Sequence, residues 1–148
     1  MQQRDPNYGR QQEPQGIRTP VRMSAEDEQA WSMIAHLSVL LNLITGLGGP
    51  VAALIIWLVY KDRSQRVAFH ALQSLWYQIA WIVILAVGWS ITFVLMFVLI
   101  GFLLIPPMLL VSLVPFIHQC YAAYKVHQGV DYRHPIIGEM IDGGRRIA

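Results

Sequence analysis

The chain has 148 residues, of which 55% are hydrophobic and only 14% charged, with a formal net charge of +2 and a mean hydropathy of +0.42. Asp, Glu, Lys and Arg are absent from residues 29–60 and again from 67–124, and charge-free runs this long cannot cover the surface of a soluble domain. The cations form no dense run, which argues against nucleic acid, and the lone Cys120 excludes an intrachain disulfide or a cysteine zinc cluster.

The elements follow in chain order. Residues 1–23, rich in Gln, Pro, Arg and Gly, lack the apolar core of a secretory signal and cannot bury enough surface to offset ordering, so they read as a disordered tail. A tail that folds on a partner is the alternative. Ser24 is placed as an N-cap, with Asp27 positioned to return a hydrogen bond and Glu26, Asp27 and Glu28 at the positive end of the helix dipole. That helix is expected over 25–45, with Trp31 at an interface. Gly46, Gly48, Gly49 and Pro50 stop it, and a second helix over 50–60 ends in Trp57 and Tyr60. The two together are too short for two full crossings of about 30 Å each at about 1.5 Å per residue. The first hairpin is therefore either a pair of short spans or re-entrant.

Ser64 caps a third helix over 65–97, whose first turns are amphipathic and belong at the interface. Gly101, Pro106 and Pro107 mark a turn over 99–106, and the fourth helix is expected over 107–127 with Pro115 as a kink. Residues 129–148 read as a C-terminal tail. The eleven Lys and Arg residues fall into three clusters, Arg4–Arg22, Lys61–Arg66 and Lys125–Arg146. Positive charge collects on the cytoplasmic side, so each uncharged stretch enters and leaves by one face. The expectation is an all-α integral membrane protein, four transmembrane helices as two hairpins over residues 24–128, with both termini cytoplasmic in a bacterial inner membrane.

With no charge at membrane depth, the informative residues are polar ones. His70, Gln73, Ser74, Tyr77, Gln78 and Trp81 are spaced to share one face of the third helix, and Gly88 and Thr92 continue it. Ser38, Asn42 and Thr45 share a face of the first helix, with His36 beside them, and the fourth contributes Ser112, His118 and Gln119. Such a stripe cannot face lipid without leaving donors unsatisfied. It is either glue between helices, at about 0.6 kcal/mol per hydrogen bond, or the wall of a wet cavity open to the cytoplasm. His36, His70 and His118 could be imagined as a metal triad or a proton relay, but no HxxxH or Glu-x-x-His spacing accompanies them and no carboxylate partner is visible. No nucleophile elbow, intramembrane aspartate pair, His-Glu-x-x-His or phosphate-binding glycine loop occurs.

Several segments together resemble a family. They are Ala35-His36-Leu37-Ser38, Gly48-Gly49-Pro50, Lys61-Asp62-Arg63-Ser64 leading into Val67-Ala68-Phe69-His70-Ala71-Leu72-Gln73-Ser74, and the ending Gly129-Val130-Asp131-Tyr132-Arg133-His134-Pro135. This pattern over residues 24–136 resembles the bacterial domain-of-unknown-function family that includes the magnetosome proteins MamF and MmsF. That family is in turn similar to the channel-type Tic subunit of the chloroplast inner-envelope translocon. The resemblance implies a four-span fold and brings no catalytic residue with it. Tyr132, Arg133 and Pro135 could form a cytoplasmic clasp on the helix ends or a simple terminating turn.

The expected function is that of a non-enzymatic scaffold or accessory subunit of a membrane assembly. A channel-like or protein-translocation component with a cytoplasm-facing polar cavity is the alternative. The expected partners are the bilayer and other membrane proteins or itself, with no nucleic acid, cofactor or metal.

Overall fold

A computed structural model of the chain describes residues 23–146, so the expectation for the N-terminal tail falls on residues 1–22, outside the described residues. The elements are α1 (Ala25–Leu37), a 3-10 turn (Ser38–Leu41), α2 (Asn42–Thr45), α3 (Gly48–Tyr60), α4 (Gln65–Met96), α5 (Ile100–His127) and α6 (Pro135–Arg146), with no strand among the described residues. Both expected caps form. The Ser24 hydroxyl accepts the Asp27 N–H at 3.1 Å, and that of Ser64 accepts the Val67 N–H at 3.2 Å.

The first helix is not continuous. Ser38 donates its hydroxyl to the Ala35 carbonyl at 2.8 Å, and the chain tightens into the 3-10 turn there before resuming as α2. Gly46 ends α2 at φ 78°, a left-handed conformation suited to glycine. Thr45 Oγ1 and Asn42 Oδ1 then accept the N–H groups of Gly48 and Gly49, each at 2.8 Å, so α2 supplies the cap that α3 lacks of its own.

Two expectations need correction. The fourth helix begins at Ile100, not Pro107, and the turn shrinks to Phe97–Leu99, with Leu99 at φ 67°. Gly101 makes this possible, because a Cβ there would strike the backbone of Thr92 and Met96. Pro106, Pro107 and Pro115 lie inside α5. Membrane helices accommodate such residues because neighbouring groups re-satisfy the freed carbonyls. The second correction concerns the C-terminal tail, where Pro135–Arg146 forms a helix, with Pro135 at its first position and Ile136, Ile137, Met140 and Ile141 on one arc.

Among the described residues, two helices, α4 and α5, are long and apolar enough to cross a membrane. At 13 residues α3 is about 20 Å long, short of the about 30 Å of hydrocarbon. Gly46, at the turn of the first hairpin, lines a small cavity with Gln78 and Leu85 of α4, and the last 11 residues of α4, about 17 Å of helix, follow Leu85.

Burial follows the same division. The small residues Ala35, Ala53, Ala68, Ala71, Ala122 and Ala123 are at most 3% exposed and let α1, α3, α4 and α5 approach closely. Ala35, Ile56, Val67 and Ala71 form the core cluster, with Trp31, Trp57 and Tyr60 packed against it. In α4 beyond Gln78 only Thr92 is buried.

Candidate functional site

The polar residues converge beneath the segment that links α5 to α6. From α4 come His70, Gln73, Ser74, Tyr77 and Gln78, whose 3-1-3-1 spacing turns all five inward, none more than 6% exposed. α1 brings His36, α5 brings His118 and Gln119, and the linking strap brings Asp131, Tyr132 and His134.

One chain of contacts runs from the core to the surface. His36 Nδ1 meets Gln119 Oε1 at 2.6 Å, His36 Nε2 meets His70 Nδ1 at 3.2 Å, and His70 Nε2 faces Asp131 Oδ1 at 3.5 Å. Arg66 Nε donates to the same Asp131 oxygen at 2.7 Å. Proton positions in this chain are coupled. With the Gln119 oxygen toward His36, Nδ1 of His36 carries the proton, its Nε2 accepts from His70, and only a doubly protonated His70 can still donate to Asp131. With the Gln119 amide turned over, three neutral N–H donors point the same way, toward Asp131. The network thus has two self-consistent arrangements, differing by one proton and one amide orientation.

A second chain lies beside it. Tyr77 Oη meets His118 Nδ1, and His118 Nε2 meets Tyr132 Oη, both at 2.7 Å. The ring of His134 stacks on Tyr77 with centroids 4.4 Å apart and planes 10° from parallel, and stands edge-on to His118 at 4.7 Å. Neither ring nitrogen of His134 has a hydrogen-bond partner, although the residue is only 2% exposed. Burial, with His118 and His70 nearby, pushes its pKa down to about 4, so it is neutral at pH 7.

Gln73 reads the strap backbone. Its amide nitrogen donates to the Tyr132 carbonyl at 3.1 Å, and its oxygen accepts the His134 N–H at 3.2 Å. Deeper in, Gln78 donates to Ser38 and Ser74 at 3.1 and 3.0 Å and accepts from Asn42 at 3.2 Å. Ser74 donates to the Ala35 carbonyl at 2.7 Å, which ties up the hydroxyl that could otherwise act as a nucleophile.

Of the residues singled out from sequence, His36, Asn42, His70, Ser74 and Gln78 are linked by hydrogen bonds directly or through one neighbour, while Gln73 binds the strap backbone. His118 joins the strap through Tyr132. The Arg133 guanidinium lies over the Phe69 ring at 5.2 Å, and Pro135 opens α6. His36 and His70 are neighbours, but His118 turns to the tyrosines. Among the described residues, no three His, Cys, Asp or Glu groups are placed to hold a metal ion. Sequence reasoning did not single out Asp131 and His134. Asp131 is the carboxylate partner for His70 that the helices lack, and its only signal was its place in the short segment right after a membrane helix.

A groove of about 390 Å³ opens between α4 (Tyr77, Ala80, Trp81), His118 of α5, and the start of α6 (Pro135, Ile136, Ile137), with His134 at its edge. Its wall is almost wholly carbon.

A profile of the magnetosome magnetite crystal formation protein family, MamF/MmsF, matches residues 27–141, a range holding every residue of the cluster. A protein of Archaeoglobus fulgidus described as a UPF0132 membrane protein is 34% identical over 107 residues, 72% of this chain and 86% of the relative. No solved structure matches.

Proposed function

Because the chain belongs to the MamF/MmsF family of magnetosome magnetite crystal formation proteins, we propose that it is a non-enzymatic membrane protein, a scaffold or accessory subunit that organises a larger membrane assembly. One observation carries this reading. His36, His70, Gln73, Ser74, Gln78 and Gln119 are each at most 1% exposed and all are hydrogen-bonded within the chain, so the stripe is spent on holding helices in register. Closed hydrogen-bond networks fix helix rotation, as a rigid platform needs. The family is one of magnetite crystal formation. The three cationic clusters support a bacterial inner membrane with both ends in the cytoplasm.

The test is extraction in mild detergent followed by native mass analysis, with a tag on the cytoplasmic tail to capture companions. Recovery in a defined hetero- or homo-oligomer is expected, and a strictly monomeric species without companions would refute the proposal. The channel-like alternative, drawn from the likeness to the translocon subunit, requires the stripe to be wet. Cysteines placed at Gln73, Ser74 and Gln78, with Cys120 replaced by Ser, are expected to resist a membrane-impermeant thiol reagent. Rapid labelling at all three positions would favour the channel.

A further inference from the structure

The groove beneath α6 is walled in part by Tyr77 and His118, whose polar atoms are spent on each other and on Tyr132. Its wall is carbon, and the nitrogens of His134 at its edge are fully enclosed, so nothing polar is offered to an occupant. A polar headgroup is therefore excluded from it, whereas a hydrocarbon fits a site of this size.

The surroundings say which hydrocarbon. On α4 the groove line passes from Ala80 to Ile84 and Val87, one and two turns deeper, which are 52% and 54% exposed. On α5 it passes from His118 to Val114 and Val111, 40% and 37% exposed. Next to the groove, then, the two described helices long enough to span a bilayer present exposed apolar surface.

Its roof, α6, is amphipathic. Ile141 is 7% exposed and packs inward, while Ile136 and Met140, on the adjoining arc, are 82% and 54% exposed. Glu139 lies away from that arc, and Arg145 and Arg146 fall in the last turn by sequence. A helix with one flank on its own bundle, one apolar flank unpartnered and a cationic end has the composition of a helix lying in an anionic leaflet.

We propose that α6 is an interfacial helix seated in the leaflet next to the strap, and that the groove it roofs holds one acyl chain of a phospholipid from that leaflet. The proposal is independent of any assembly role. Ile136 and Met140 dip into the acyl region, Glu139 faces water, and the chain lies along Ala80 and Ile84.

The test uses the full chain with Cys120→Ser in liposomes of phosphatidylethanolamine and phosphatidylglycerol. Nitroxide labels are placed singly on Ile136→Cys, Met140→Cys and Glu139→Cys. The expected result is high oxygen and low nickel-chelate accessibility at the first two positions, and the reverse at the third. Nickel-chelate access at Ile136 and Met140 equal to that at Glu139 overturns the proposal, as does dipolar broadening between labels on two copies, which would mean a second chain covers the flank. In a second arm, native mass spectrometry counts phospholipid retained by Ala80→Trp, which fills the groove, against Ile55→Trp on the exposed face of α3. Loss of one retained lipid in the first variant only is expected, and equal retention overturns the acyl-chain seat. Should Ala80→Trp aggregate, Ala80→Leu fills the same space with less bulk.

Discussion

The half of the molecule next to the strap and the far half of the α4–α5 hairpin are built on opposite rules. In the near half, α1, α3, α4 and α5 enclose polar side chains that are all but fully buried, and small residues bring the helices together. In the far half, α4 and α5 pack on each other, and residues such as Val94, Phe97 and Leu103 are 66%, 92% and 79% exposed. Specificity of shape therefore resides in the near half, while the far half satisfies the bilayer. A charge-free hairpin needs only length and greasiness to cross, whereas the shorter first hairpin is held by side chains: Asn42 and Thr45 cap the Gly48–Gly49 turn, and Gln78 accepts from Asn42.

Two glycines give the sharpest way to break the contrast. A Cβ on Gly49 would lie 2.8 Å from the Ser38 carbonyl oxygen and also strike the ends of Asn42 and Gln78, so backbone must move. Gly49→Val is expected to destabilise by about 3 kcal/mol, at the upper end for overpacking. At Gly88 the obstacle is the flexible tip of Met108 at 2.7 Å, so Gly88→Val should cost under about 1 kcal/mol. Thermal unfolding in detergent measures both, and equal losses would erase the distinction between the halves.

Polar deletions sharpen it further. His36→Leu strips Gln119 and His70 of their shared partner in a fully buried place, with an expected cost of about 2–3 kcal/mol. In the far half, Ser112 accepts from Trp89 at 3.2 Å, and Ser112→Ala should cost about 0.6 kcal/mol, typical of hydrogen bonds within membranes. Denaturant titration of the two variants checks the ratio.

The strap answers to pH where the far half does not. His134 has a pKa of about 4 when docked, against about 6.5 when free, so the free form binds the proton more readily. Docking is therefore fully present above about pH 6.5 and weakens as pH falls toward about 4, at up to about tenfold per pH unit. Protease protection of α6 in liposomes, followed from pH 7.5 to 4.5 (on the order of three units, spanning the window), measures this. His134→Phe keeps the stack on Tyr77, removes two unpartnered nitrogens and should flatten the profile without loss at neutral pH.

How much of this was legible depended on whether the signal was local. The stripe on α4 could be read because a 3-1-3-1 spacing fixes a helical face whatever surrounds it, and Ser24 and Ser64 could be read because capping acts within one turn. The start of α5 could not. Pro106 and Pro107 are strong breakers in water, yet the hairpin is closed by Gly101 fitting against the Thr92 and Met96 backbone, a contact between helices that no spacing reveals. Residues 135–146 read as a tail in sequence because the helix is short and its apolar arc has meaning only once α4 stands beside it. Asp131 was invisible for the same reason, since it lies 61 residues from His70.

Asp131 also supplies the smallest expected effect. Its carboxylate is 58% exposed and its partner Arg66 25%, so their ion pair at 2.7 Å lies in water on one side. Exposed pairs contribute about 0–1 kcal/mol and fade with salt. Asp131→Asn should therefore weaken strap docking by under about 1 kcal/mol, with the difference vanishing at high ionic strength. Gln73→Leu, which removes one buried and one part-buried bond to the strap backbone, should weaken docking more and keep its effect in salt. If Asp131→Asn instead matched Gln73→Leu and resisted salt, the carboxylate would be acting through His70 on the buried chain. The two proton arrangements of that chain would then be coupled to whether the strap is down.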